Sequence, residues 1–107
     1  MSKFQLRDPD RLAPVHPGDV LWHDFIQPMG LTQTALAVGT GIPVSRIHAV
    51  IRGTRGVTAD TALRLGRFFG VSAELWMGLQ ADHDLEVQRL ALGQRLEVEV
   101  NPLNQAS

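Results

Sequence analysis

The chain has 107 residues, of which 44% are hydrophobic and 20% charged, the composition of one globular domain and not of a disordered segment. It contains no cysteine, which excludes disulfide staples, thiol nucleophiles and thiolate-bound zinc. The formal charge of −1 is unevenly spread: residues 25–59 hold Arg46, Arg52 and Arg55 and no acid, whereas residues 72–107 hold six acids against Arg89 and Arg95. Charge alone leaves open whether these are two faces for two partners or ordinary solvated surface. No apolar run approaches the roughly 18 residues of a membrane span, and the N-terminus lacks the apolar core of a signal peptide. A soluble, cytoplasmic protein is therefore expected.

Residues 1–16 have no sustained period and carry Pro9 and Pro14, so they read as an arm. A first helix is expected from near Gly18, with Leu21 and Phe25 one turn apart and Pro28 stopping it. Thr32 is a good N-cap for a second helix, and Leu31 and Leu36 make a hydrophobic staple across its entry. Gly39, Gly41 and Pro43 break that helix after about two turns. A third runs from Pro43 to Ile51, with Gly53 placed to end it. Thr58 caps a fourth over residues 58–69, where Ala62, Leu65, Gly66 and Phe69 share one face and Gly70 terminates. Ser72 caps a fifth, Val71 staples onto Trp76, and a stripe of Trp76, Leu79, His83, Val87 and Leu90 extends to Gly93. Beyond it, Leu96, Val98 and Val100 alternate with Glu97 and Glu99, the period-2 pattern of a short strand. This reading divides the chain into an arm (1–16), a helical domain (17–92) and a strand with a tail (93–107).

Residues 33–52 carry the most information. Two short helices joined by a tight turn, with a small residue where they cross, form a helix-turn-helix. Ala37 sits mid-helix, where a larger side chain would push the third helix away. Gly41 sits where the turn wants a positive φ. Leu36, Ile42, Ile47 and Val50 fall at inward positions, and only Thr40 is polar at a site usually apolar. An ordinary αα-hairpin would show the same apolar spacing. It does not account for the Ala-then-Gly spacing together with a basic, acid-free third helix.

In order along the chain stand His16-Pro17-Gly18-Asp19-Val20-Leu21, Leu31-Thr32-Gln33, Leu36-Ala37, Gly53-Thr54-Arg55-Gly56-Val57-Thr58, Ala62-Leu63-Arg64-Leu65 and Trp76-Met77-Gly78-Leu79-Gln80-Ala81. Over residues 15–92 this resembles the HigA/VapI-type antitoxins of the wider Xre/Cro repressor-like helix-turn-helix group. The resemblance implies an all-α, five-helix, lambda-repressor-like bundle with an N-terminal arm and a short C-terminal strand. It also implies a dimeric antitoxin that binds operator DNA, represses its own operon and neutralises a RelE-like, mRNA-cleaving toxin encoded beside it.

In such a unit the second helix enters the major groove and its N-terminal residues meet base edges. Here those are Val44, Ser45 and Arg46, with His48 and Ala49 one turn on. A guanidinium bonds guanine O6 and N7 together, which makes Arg46 the leading base reader. Thr32 and Gln33 lie at the start of the preceding helix; the resemblance gives Gln33 a phosphate contact, and Arg52 and Arg55 look like phosphate anchors. The groove-facing side is poor in Asn and Gln, so phosphates and DNA shape are expected to carry much of the affinity. A homodimer would read two half-sites roughly 34 Å apart. Val87, Leu90, Leu96, Val98 and Val100 are the expected dimer contacts, with Leu96–Val100 pairing with its two-fold mate or with a toxin sheet edge. A basic toxin favours an acidic surface, which points to Asp82, Asp84 and Glu86.

No catalytic constellation emerges. The four histidines lack the i, i+4 pairing of a helical metal site, Asp82-His83-Asp84 reads as a solvated helix turn, and Ser45 near His48 has no orienting carboxylate. No enzyme, metal or cofactor is expected. Two alternatives stay open: a stand-alone regulator of the same fold without a toxin, and a protein-interaction module whose helix-turn-helix does not read DNA.

Overall fold

The computed structural model describes residues 14–103, and among them every regular element is a helix. The first, α1, runs without a break through an α-helical turn Pro17–Val20, a π-helical stretch Leu21–Ile26 and a last turn Gln27–Met29. His16 caps it: its Nδ1 accepts from the Gly18 N–H at 2.9 Å, while the Asp19 carboxylate accepts from the His16 N–H at 3.4 Å. Pro28 was expected to stop this helix and instead lies inside it. Proline lacks the N–H and its ring crowds the carbonyl four residues back. The wider π turn, in which the Gln27 N–H reaches the Trp22 carbonyl five residues back, makes room for it. Gly30, at φ 66°, then ends the helix.

Helix α2 (Gln33–Thr40) starts at the Thr32 cap, whose Oγ1 accepts from the Ala35 N–H at 3.0 Å. It ends at Gly41, whose φ of 73° puts the turn in the left-handed region as the spacing predicts. Helix α3 (Val44–Ile51) follows, then α4 (Ala59–Phe69) capped by Thr58, and α5 (Ala73–Leu92) capped by Ser72. The expected strand at 96–100 is a correction. Those residues form a one-turn helix, α6 (Arg95–Glu99), so the described residues hold six helices where five were expected. A lone strand leaves its backbone groups unpaired. The helical turn closes Val98 N–H onto Gln94 and Val100 N–H onto Leu96, and an Arg95–Glu99 ion pair at 3.0 Å spans it. The arm falls mostly on residues outside those described.

The core is built from Val20, Leu21, Ile26, Leu36, Ile42, Ile47, Val50, Val57, Ala62, Leu65 and Trp76, which draws on α1 to α5. Trp76 is fully buried, with the rings of Phe25 and Phe69 at 5.1 and 6.3 Å. Thr40, the polar outlier, is satisfied: its hydroxyl donates to Leu36 O at 2.7 Å and accepts from the Ile42 N–H at 3.2 Å. Helix α1 crosses the C-terminal end of α3 at Gly18, where backbone meets backbone. That contact fixes how α3 stands out from the bundle. No helix among the described residues is long and apolar enough to cross a membrane.

Candidate nucleic-acid interface

Ile47 and Val50 are buried, which sets the rotation of α3 about its axis. The opposite side then presents Val44, Ser45, His48 and Arg52, all exposed and spaced to share one face of the helix. Gln33, at the first position of α2, lies beside that face. Its Oε1 is 3.2 Å from His48 Nδ1, and Arg52 Nη1 is 3.3 Å from His48 Nε2. A guanidinium only donates, so Nε2 is the acceptor and the ring proton sits on Nδ1, donating to Gln33. The structure thus joins Gln33, His48 and Arg52 into one chain of hydrogen bonds across the outer surface of both helices.

Arg46 stands elsewhere. One residue before Ile47 and four before Val50, it leans toward the bundle, half-buried, with Nε buried and unbonded among the described residues. Its Nη1 lies 3.4 Å from Asp60 on α4. Asp60 also accepts from Arg64 Nε at 3.1 Å, and Arg64 Nη1 donates to Thr40 O at 3.0 Å. The leading base reader is therefore tethered by a carboxylate fourteen residues on, which the sequence reading did not pick out. In the sequence Asp60 stands only as one acid against Arg64 and Arg67; its place in the first turn of α4 comes from the structure.

The exit of α3 is also fixed. The Ala49 carbonyl accepts from the Thr54 and Arg55 N–H groups at 3.0 and 3.3 Å, so Arg55 sits on an ordered loop. Gln80 on α5 holds the far end: its Oε1 accepts from the Val57 N–H at 2.6 Å and its Nε2 donates to Asp84 at 2.9 Å. Gln80 was legible only as part of the Trp76–Ala81 block, and its role needs the third dimension. Thr32 faces solvent with its hydroxyl spent on capping, and Ala49 is half-buried.

The acidic residues separate by environment. Asp84 is engaged by Gln80 and by His83 at 3.4 Å, and Glu86 pairs with Arg89 at 3.8 Å. Asp82 makes no hydrogen bond or ion pair among the described residues. The expected dimer contacts are open to solvent, from 38% exposure at Val87 to 77% at Val98. No group of three or more His, Asp or Glu among the described residues is placed to hold a metal ion.

Two helices joined at a left-handed glycine, the second showing a polar face with arginine at its exit, define a helix-turn-helix domain of the DNA-binding type. A family model described as Helix-turn-helix matches residues 24–76. The chain is 42% identical over 78 residues to Virulence-associated protein I of Dichelobacter nodosus, which covers 73% of this chain and 72% of that protein. It is 37% identical over 73 residues to Antitoxin HigA-1 of Vibrio cholerae, covering 67% and 68%. The solved structure of Pseudomonas aeruginosa antitoxin HigA with the higBA promoter superposes with a TM-score of 0.80 at 37% identity, over 84% of this chain and 98% of that one. The chain belongs to the HigA family of helix-turn-helix antitoxins.

Proposed function

We propose that this protein is the antitoxin and autorepressor of a type II toxin–antitoxin pair, and not an enzyme. It acts in the cytoplasm as a homodimer that binds operator DNA upstream of its own gene and neutralises a RelE-like, HigB-type mRNA-cleaving toxin. The observation that carries this reading is the exposed face of α3, Val44, Ser45, His48 and Arg52, with Gln33 bonded into it, in a fold shared with an antitoxin solved on its promoter. Arg52, Gln33 and Arg55 anchor phosphates, and the ordered loop held by Gln80 positions Arg55. Ser45 and Val44 meet base edges. His48 orients both neighbours. Arg46 contributes less than its charge implies, because reaching a guanine means leaving Asp60. Asp82, Asp84 and Glu86 face the toxin, with Asp82 the freest of the three.

The test is binding to DNA from upstream of the gene over a range of salt. Arg52→Ala weakens all sequences and lowers the slope of log affinity against log salt by about 1. Ser45→Ala narrows the gap between operator and unrelated DNA, by roughly 1–3 kcal/mol if a base contact is lost. A dimer that shows no sequence selectivity would overturn the repressor reading. Failure to restore growth to cells expressing the ribonuclease encoded beside it would overturn the antitoxin reading.

A further inference from the structure

We infer that Asp84 is a positioning residue for DNA binding: it sets which end of the Gln80 side-chain amide meets the loop that carries Arg55. That loop is tied at two points. On the α3 side the Ala49 carbonyl accepts from the Thr54 and Arg55 N–H groups, and from the Thr54 hydroxyl at 3.2 Å. On the α5 side Gln80 Oε1 accepts from the N–H of buried Val57 at 2.6 Å. Arg55 and Gly56 lie between the two ties. Gly56 admits the amide, because a Cβ there would stand 3.0 Å from Gln80 Cδ and Oε1 and 3.1 Å from Nε2.

A glutamine amide has an accepting end and a donating end of nearly the same size. Turned over, Gln80 would set its NH2 group against the Val57 N–H, donor against donor, and that N–H would lose its acceptor. Asp84 lies one turn further along α5 and, as a carboxylate, only accepts. Its Oδ1 takes a hydrogen bond from Gln80 Nε2 at 2.9 Å, which leaves Oε1 as the end that faces Val57. The same Oδ1 is 3.4 Å from His83 Nδ1, while the Asp84 side chain is 63% exposed. An acid at the negative end of the chain thus supports DNA binding against the sign of its own charge. This role is additional to the toxin-facing one proposed above, and it rests on the reading of Arg55 as a phosphate anchor.

The sign of the effect is the test, read as binding of the full chain to DNA from upstream of its gene over a range of salt. Removing a solvated acid from a DNA-binding protein leaves affinity unchanged or raises it, and Glu97→Ala on α6 is the control for that charge change. Asp84→Ala is expected instead to weaken binding roughly two- to tenfold, the range of one hydrogen bond. It should also lower the salt slope by up to about 1 and speed hydrogen exchange at the Val57 amide. Asp84→Asn keeps an acceptor and should recover most of the affinity. In a Gln80→Glu background both ends of the side chain accept, so Asp84→Ala should cost nothing there. In an Arg55→Ala background it should add no further loss, because its effect passes through Arg55. Asp84→Ala binding like Glu97→Ala overturns the inference, as does an undiminished loss in either background, and both results leave the Arg55 anchor standing. Arg55→Ala binding like wild type overturns the anchor reading itself, and the inference with it.

Discussion

The close crossing of α1 over α3 makes Gly18 the position where a single methyl group should do the most damage. A Cβ there would overlap the Val50 carbonyl oxygen and stand 2.8 Å from its carbon and 2.9 Å from Ile51 Cα. All three are backbone atoms, so no side chain can rotate away, and relief requires α3 to move outward. Overpacking of this kind costs about 1–3 kcal/mol, and rigid backbone puts Gly18→Ala near the upper end. Against this, alanine gains roughly 0.5–1 kcal/mol over glycine inside a helix. The net loss is about 2 kcal/mol, which for a domain of this size lowers Tm by roughly 8–16 °C. Gly78 on α5 is the internal control, since open space surrounds its Cβ position. Gly78→Ala should keep the helix gain with no clash and raise Tm by a few degrees, on the order of 4–8 °C per kcal/mol. The assay is thermal unfolding followed by far-UV circular dichroism, at one protein concentration for all three chains. Operator binding measured well below the transition should also weaken for Gly18→Ala, because α3 is displaced even when folded. A Gly18→Ala chain melting at or above wild type would refute the tight crossing. So would two variants that shift by the same amount in the same direction.

His16 supplies a pH dependence. Burial, and then the neighbouring His83, pull its pKa below the usual 6.5, with Asp19 and Asp84 opposing weakly. The unfolded chain therefore takes up this proton more readily, so the stability held by neutral His16 is present above pH 6.5 and lost as pH falls through the lower folded value. Protonation also removes the Nδ1 acceptor that caps α1. His16→Asn keeps a capping group that does not titrate, and should flatten the acid slope of Tm; an unchanged slope would assign the effect elsewhere. Asp60→Asn should raise affinity for all DNA sequences and steepen the salt dependence, since it frees Arg46 and Arg64 and removes a negative charge beside the face. Its cost in stability is about 0–1 kcal/mol, as both ion pairs are partly exposed. Equal or weaker DNA binding by Asp60→Asn would show that Arg46 is no loss to the interface where it stands.

What could be read from the sequence and what could not divides along the reach of the interactions. Thr32, Thr58 and Ser72 announce their helices because a cap acts within three residues, and Gly41 announces its turn because the constraint lies in its own φ. The rotation of α3 was also present in the string: with Ile42, Ile47 and Val50 inward, position 46 must flank the core, and only Val44, Ser45, His48 and Arg52 can face outward together. Arg46 draws attention for its chemistry, while helical phase places it beside the core. The Arg46–Asp60, Gln33–His48 and Val57–Gln80 contacts join residues 14, 15 and 23 apart, and nothing local marks them. The C-terminal segment misleads for the opposite reason. Its alternation of Leu96, Val98 and Val100 makes one apolar side only in a strand, and a strand needs a neighbour that this chain does not offer within the described residues. The segment takes the helical turn that satisfies its own backbone and leaves Leu96, Val98 and Val100 exposed among the described residues.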